Sequence, residues 1–304
     1  MQGKLTLKLI ETGGGPKGLN AGTKSLILKG FGRKVPIMPS FSRCRALSRV
    51  FFWCGILTGA AAGALQAGPP PPREGWELTF FDDFEGEAID RAKWNVTDPW
   101  EAEKNGELQA YVPGNIEQRD GLLRLRVDRQ KAFYDNKIRQ YTSGIVTTAR
   151  KFSQRHGRFE IRCRVPRGRG LWPAFWMLPD PPSWPPEIDI LEILGHEPDR
   201  LYMTHHWPDP ENPDGASKSV LGEWRGPDFS ADFHTFAVEW ETGAIRWYVD
   251  DVQRHRATEK IPDVPMFLLV NLAVGGDWAG APDETTVFPS WFEIDWVRVW
   301  RRSP

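Results

Sequence analysis

Arg158-Phe159-Glu160-Ile161-Arg162-Cys163-Arg164-Val165 alternates charged with apolar residues and sets Phe159, Ile161, Cys163 and Val165 on one side. Side chains that project to opposite faces at every step give that pattern, so the stretch predicts a strand with one buried face. The same texture recurs on either side of it. Upstream, Gly121-Leu122-Leu123-Arg124-Leu125-Arg126-Val127 alternates from Leu123 onward. Downstream, residues 236–240, 244–250, 266–273 and 291–300 read alike, with turn residues between them. No stretch carries a sustained 3.6-residue period with caps at both ends. Many short strands and almost no helix predict an all-β fold, an antiparallel β-sandwich of jelly-roll type. No internal repeat or second-domain linker interrupts it.

Composition narrows the classes of function. The 304 residues carry 39 basic and 40 acidic side chains, so no bulk field draws the chain to nucleic acid or anionic lipid. The 15 tryptophans are the unusual number, and a flat indole stacks on apolar surfaces, the C–H faces of sugar rings included.

The first residues read as address, not fold. Arg43, Arg45 and Arg49 precede an apolar run over 50–57 and small residues over 59–67, the three parts of a secretory signal. The run is too short to span a bilayer comfortably. Met38 would start a leader of ordinary length, cut after Ala67 or, alternatively, after Ala64. The expected organisation is a mis-called or disordered extension over 1–37, a signal peptide over 38–67, a Pro-rich spacer over 68–75 and one domain over 76–304. The protein is then secreted, periplasmic or extracellular, with no membrane partner after cleavage, and a monomer is expected. Cys44 and Cys54 fall in the leader, which leaves Cys163 without an internal disulfide partner.

The chemistry concentrates in Pro186-Glu187-Ile188-Asp189-Ile190-Leu191-Glu192-Ile193-Leu194-Gly195. Its aliphatic residues predict a buried strand, and three acids inside one are costly unless they are used. Strict alternation puts Glu187 and Asp189 on one face and Glu192 on the other. One β-bulge around Ile190–Leu191 would turn Glu192 back to join them. Carboxyls gathered that way cannot all ionise easily, which leaves a proton donor beside an ionised partner. Glycoside hydrolysis needs that division of labour. Two other uses of the acids compete, metal binding and pairing with buried arginine.

The flanking segments resemble glycoside hydrolase family 16, in particular its laminarinase-like (endo-β-1,3-glucanase) branch. The resemblance runs from about Trp76 to Trp300. It is carried in order by Phe81-Asp82-Asp83-Phe84, Asn105-Gly106-Glu107-Leu108-Gln109 with Tyr111, and Gly170-Leu171-Trp172-Pro173-Ala174-Phe175-Trp176-Met177-Leu178. The acids follow, then Phe233-His234-Thr235-Phe236 and Asn271-Leu272-Ala273-Val274-Gly275-Gly276-Asp277-Trp278. It implies a concanavalin-like jelly roll with a concave substrate cleft, and a retaining double displacement that needs no catalytic cofactor. Glu187 would be the nucleophile, Glu192 the general acid/base, and Asp189 the group that tunes them. Trp172, Trp176, Trp184, His206 and Gln109 are the expected substrate contacts, with His205 facing away from the cleft. A structural Ca2+ would map onto Asp83, the carbonyl of Gly121 and Asp295, hard oxygen donors that suit it.

The expected substrate is a β-1,3- or mixed β-1,3/1,4-glucan. A galactan such as agarose or carrageenan, transglycosylation, and a non-catalytic glucan-binding role remain the alternatives. Lectin-like relatives usually lose one or both catalytic acids, and here all three positions are filled.

Overall fold

The structure is a computed structural model that describes residues 70–211 and 217–304. The extension over 1–37 and the signal over 38–67 lie outside the described residues. In chain order the strands are β1 (Trp76–Asp82), β2 (Gln109–Tyr111), β3 (Ile116–Arg119), β4 (Leu122–Val127), β5 (Ala132–Tyr134), β6 (Lys137–Arg139), β7 (Tyr141–Ser143), β8 (Ile145–Thr147) and β9 (Gly157–Arg164). They continue as β10 (Leu171–Pro179), β11 (Glu187–Ile193), β12 (Arg200–Pro208), β13 (Ser217–Arg225), β14 (His234–Glu241), β15 (Ala244–Val249), β16 (Val252–Ala257), β17 (Met266–Val274) and β18 (Ser290–Arg302). Among the described residues the helices are single turns, a 3-10 turn at Pro113–Asn115 and α1 at Gly276–Ala279.

Two antiparallel sheets form the sandwich. One runs β16-β15-β14-β9-β18-β4-β3, with β1 also on β18; the other runs β13-β12-β11-β10-β17-β8. Both give alternate side chains to a shared core. Phe159, Ile161 and Cys163 enter it from β9, as their alternation predicts, and Phe175 and Met177 enter from β10. On β10 the residues in between, Trp172, Ala174, Trp176 and Leu178, face out over the second sheet.

The acid strand breaks this regularity at one place. Trp176 pairs with Asp189 and the preceding Phe175 with Leu191, so Ile190 has no partner on β10. On the other side, Asp189 pairs with Thr204 and Glu192 with Tyr202, three steps on β11 against two on β12. The bulge has a cause in the sequence. Ile190 and Leu191 are both apolar and both fully buried in the core, and strict alternation would push one of them into water. Burying a side chain of that size is worth about 1.5–3 kcal/mol, enough to choose the bulge over a straight ladder. The carbonyl of Asp189, beside the bulge, accepts the indole N–H of Trp247 from the facing sheet at 2.8 Å.

Candidate active site

The outward face of the six-stranded sheet carries a cleft of about 790 Å³. β10 and β17 supply Trp172, Trp176, Asn271 and Ala273 to its floor. β12 and β13 supply Thr204, His206, Ser219 and Leu221, and the loop before β2 supplies Asp98, Trp100, Lys104 and Glu107. Glu187 and Glu192 both line it, which is the consequence of the bulge.

Each acid has its own surroundings. Glu187 accepts the indole N–H of Trp184 at 2.7 Å. Asp189 is 2 % exposed, and Nε2 of His206 lies 3.3 Å from its Oδ2. Glu192 accepts the indole N–H of Trp172 at 3.1 Å. Burial pushes all three carboxyls up, Asp189 to about 7. The charge of Asp189 raises Glu187 further, and those of Asp189 and Glu187 raise Glu192. Two groups pull Glu187 back toward the anion, the charge of His206 and the N–H of Trp184. Glu192 has only the N–H of Trp172 to do so. More neighbours thus favour the anion at Glu187 than at Glu192.

The competing uses of these acids fare differently. Buried arginine pairing occurs elsewhere: Arg158, 1 % exposed, bonds Glu160, Glu239 and Asp251 on the other sheet. Glu187, Asp189 and His206 do bring ligand atoms within 4.8 Å of one another, close enough for a metal. The indole N–H of Trp184 is aimed at Glu187, however, and a bound cation would repel such a donor.

The expected substrate contacts divide. Trp172, Trp176, Trp184 and His206 line the cleft. Trp184 is half exposed and Trp176 partly buried, while Trp172 is 9 % exposed. His205 is fully buried beside Trp207. Gln109 is a correction. Its carbonyl accepts the backbone N–H of Val274 at 2.8 Å and its amide donates to Glu107 at 2.6 Å. Buried at 4 % exposure, it braces β2 against β17 and leaves Glu107 and Tyr111 to face the cleft.

On the opposite sheet, Asp83 follows β1 and Asp295 lies within β18. A Cβ at Gly121 would sit 2.8 Å from Oε1 of Glu85, so a further carboxylate packs over that turn. Asp295 already accepts from Arg162, and Arg298 acts on both Asp83 and Asp295. The donors are all oxygen and fit calcium in kind, with Arg162 as the competitor for Asp295.

Several site residues escaped the sequence. Asn271 accepts the N–H of Trp176 at 2.7 Å and donates to the hydroxyl of Tyr111 at 2.9 Å, fixing both rings. Its signal was one amide in an otherwise apolar strand. Trp100, with the ammonium of Lys104 3.4 Å over its ring, gave none, because the loop that carries it has no periodicity.

Comparison with known proteins agrees with this geometry. The family model for glycosyl hydrolases family 16 matches residues 109–298. A β-glucanase of Rhodothermus marinus is 35% identical over 291 residues, 87% of this chain and 98% of its own. An endo-1,3-1,4-β-glycanase of Rhizobium meliloti (strain 1021) is 35% identical over 73% of this chain, which spans about half (51%) of that longer protein. The laminarinase catalytic domain of Thermotoga maritima superposes with a TM-score of 0.68 at 36% identity, covering 76% of this chain and 100% of that one. With the family's motifs on the cleft and its fold beneath them, the chain belongs to glycosyl hydrolase family 16.

Proposed function

We propose that the protein is an exported, monomeric endo-hydrolase of neutral β-glucan, β-1,3 or mixed β-1,3/1,4 linked, acting with retention. The observation that carries this is the bulge at Ile190, which puts Glu192 on the same open face as Glu187. Glu187 attacks the anomeric carbon as the anion that His206 and the indole N–H of Trp184 favour. Glu192 gives its proton to the departing glycosidic oxygen. A glycosyl ester on Glu187 results, and Glu192, now a base, takes a proton from the water that hydrolyses it. Export is supported by the leader pattern over 38–67.

The substrate reading is supported by relatives named for β-glucan and by charge. Asp98, Glu107, Glu187, Glu192 and Asp277 line the cleft against one lysine, Lys104. A sulfated galactan would meet repulsion along that groove, so carrageenan is disfavoured. A calcium ion held by Asp83, the Gly121 carbonyl and Asp295 would tie the end of β1 and the middle of β18 to the β3–β4 turn. It would supply stability and no chemistry.

The test is Glu187→Gln, assayed for reducing ends on laminarin, lichenan, agarose and carrageenan. Turnover should fall by at least ~10³-fold, in line with loss of an essential nucleophile, with folding and oligosaccharide binding retained. Comparable activity in the variant would remove Glu187 as nucleophile, and wild-type release from agarose alone would remove the glucan.

A further inference from the structure

Glu192 lines the cleft, and the rings that flank it have a common support. Trp172 flanks it from β10 through the 3.1 Å indole bond. Tyr202 flanks it from β12, directly opposite in the ladder. Both are buried, and they belong to one satellite cluster with Leu194, Ala273 and Ala279. The ring of Trp278 spans them, edge-on to Trp172 at 5.1 Å and to Tyr202 at 4.7 Å between centroids.

Trp278 reaches that position from α1, and the turn is firmly mounted. Gly275 N–H bonds the carbonyl of Gly170 at 2.8 Å and Asp277 N–H bonds that of Asn105 at 2.9 Å. Gly275 and Gly276 hold φ of 76° and 91°, and a Cβ on Gly275 would meet Leu108 at 2.5 Å. A backbone so fixed presents its side chain in one place. Trp278 itself stays 40% exposed at the rim, so it stands between the solvent and the pair that brackets the acid.

We propose that Trp278 is a positioning residue for proton transfer: by clamping Trp172 and Tyr202 it keeps the carboxyl of Glu192 dry and aimed at the glycosidic oxygen. The charged groups around Glu192 are Asp189 and Glu187 on its own strand and Glu107 from the loop before β2. Asp277 lies beside Trp278. Glu197 and Arg200 lie behind Tyr202, at its hydroxyl and over its ring respectively. The anionic neighbours and the dry site both favour the protonated acid, and Trp278 controls the dryness. Burial is the largest influence holding Glu192 well above the usual carboxylate range. Water admitted past Trp278 would undo part of it.

The inference rests on Glu192 as the proton donor, and leaving-group chemistry separates the two. A 2,4-dinitrophenyl β-oligoglucoside departs without a proton, whereas a polysaccharide does not. Trp278→Ala should lower kcat/KM on soluble β-glucan by about 10- to 100-fold, part of the 10²–10⁴ that an acid contributes. The dinitrophenyl glycoside should lose less than about 3-fold, because its departure needs no acid. The alkaline limb of the glucan profile should move down by about one pH unit. Trp278→Phe should recover most of the loss, and a thermal melt controls for folding. Equal losses on both substrates with an unmoved limb would make Trp278 a plain sugar platform and overturn the inference, as would unchanged kinetics. Glu192→Gln, run alongside, should lose glucan cleavage and keep the first-turnover burst of dinitrophenol, because only the second step needs Glu192 as base. If it keeps both, the donor assignment fails and this inference with it; if it behaves as expected, a contrary Trp278 result overturns the inference alone.

Discussion

Replacing Trp172 with phenylalanine removes one hydrogen bond from the acid and leaves an aromatic ring in its place. The indole N–H sits 3.1 Å from Oε1 of Glu192 in a partly buried site. A neutral donor onto a carboxylate stabilises the anion, so its loss makes the anion harder to form and raises the acidity constant's pH. A hydrogen bond to a charged group is worth about 1.5–3 kcal/mol, and one pH unit corresponds to about 1.36 kcal/mol. The shift is therefore about 1 to 2 units upward. The first chemical step needs Glu192 protonated, so the alkaline limb of kcat/KM against pH should move up by that amount. The assay is initial-rate kinetics on a soluble β-glucan oligosaccharide between about pH 4 and 10 at constant ionic strength, the window around the carboxylate and histidine ranges. Trp278→Ala should move the same limb the opposite way, so the two variants together separate the hydrogen bond from the dryness. A limb that stays still or moves down in Trp172→Phe would refute the donor role of Glu192 or the importance of this bond to it.

Two further outcomes test the scaffold. In Gly222→Ala, the new Cβ would lie 2.2 Å from Cγ of His255, and overpacking of that kind costs about 1–3 kcal/mol. At about 2–4 °C per kcal/mol for a domain of this size, calorimetry should read a Tm lower by roughly 2–12 °C, with kcat unchanged below the melt; an unaltered Tm would mean that β13 moves freely away from β16. Calcium at a hundred times its Kd adds about 2.7 kcal/mol, so EDTA should lower Tm by about 5–10 °C and added calcium restore it. A Tm indifferent to both would leave Asp295 to Arg162.

Much of this was legible because burial enforces pattern. The alternation of β9 named its own core residues, since a one-step slip would bury four charges. The bulge was readable from the parity of three acids, and Ile190-Leu191 supplies the force behind it. Trp172 and Trp176 share a face for the same reason. Gln109 misled because parity says which way a side chain points and not what it meets. The backbone N–H of Val274 that it satisfies comes from a strand 165 residues later. Trp278 and Tyr202 were silent for a related reason. Their meaning lies in an edge-on contact between a loop and a strand, and no local period records that. The competitor at the calcium donors, Arg162, sits on the very strand whose pattern was clearest, with its charge read as mere solvent exposure.

β18 has one further implication. Residues Trp76–Asp82 and Leu122–Val127 line one of its edges and β9 the other, so the first strand of the domain is zipped to the last. The larger sheet therefore cannot close until β18 has been made, and pairing across so long a stretch of chain is slow. Until then β1 lacks the edge it lies against, so assembly of that layer waits on a single strand.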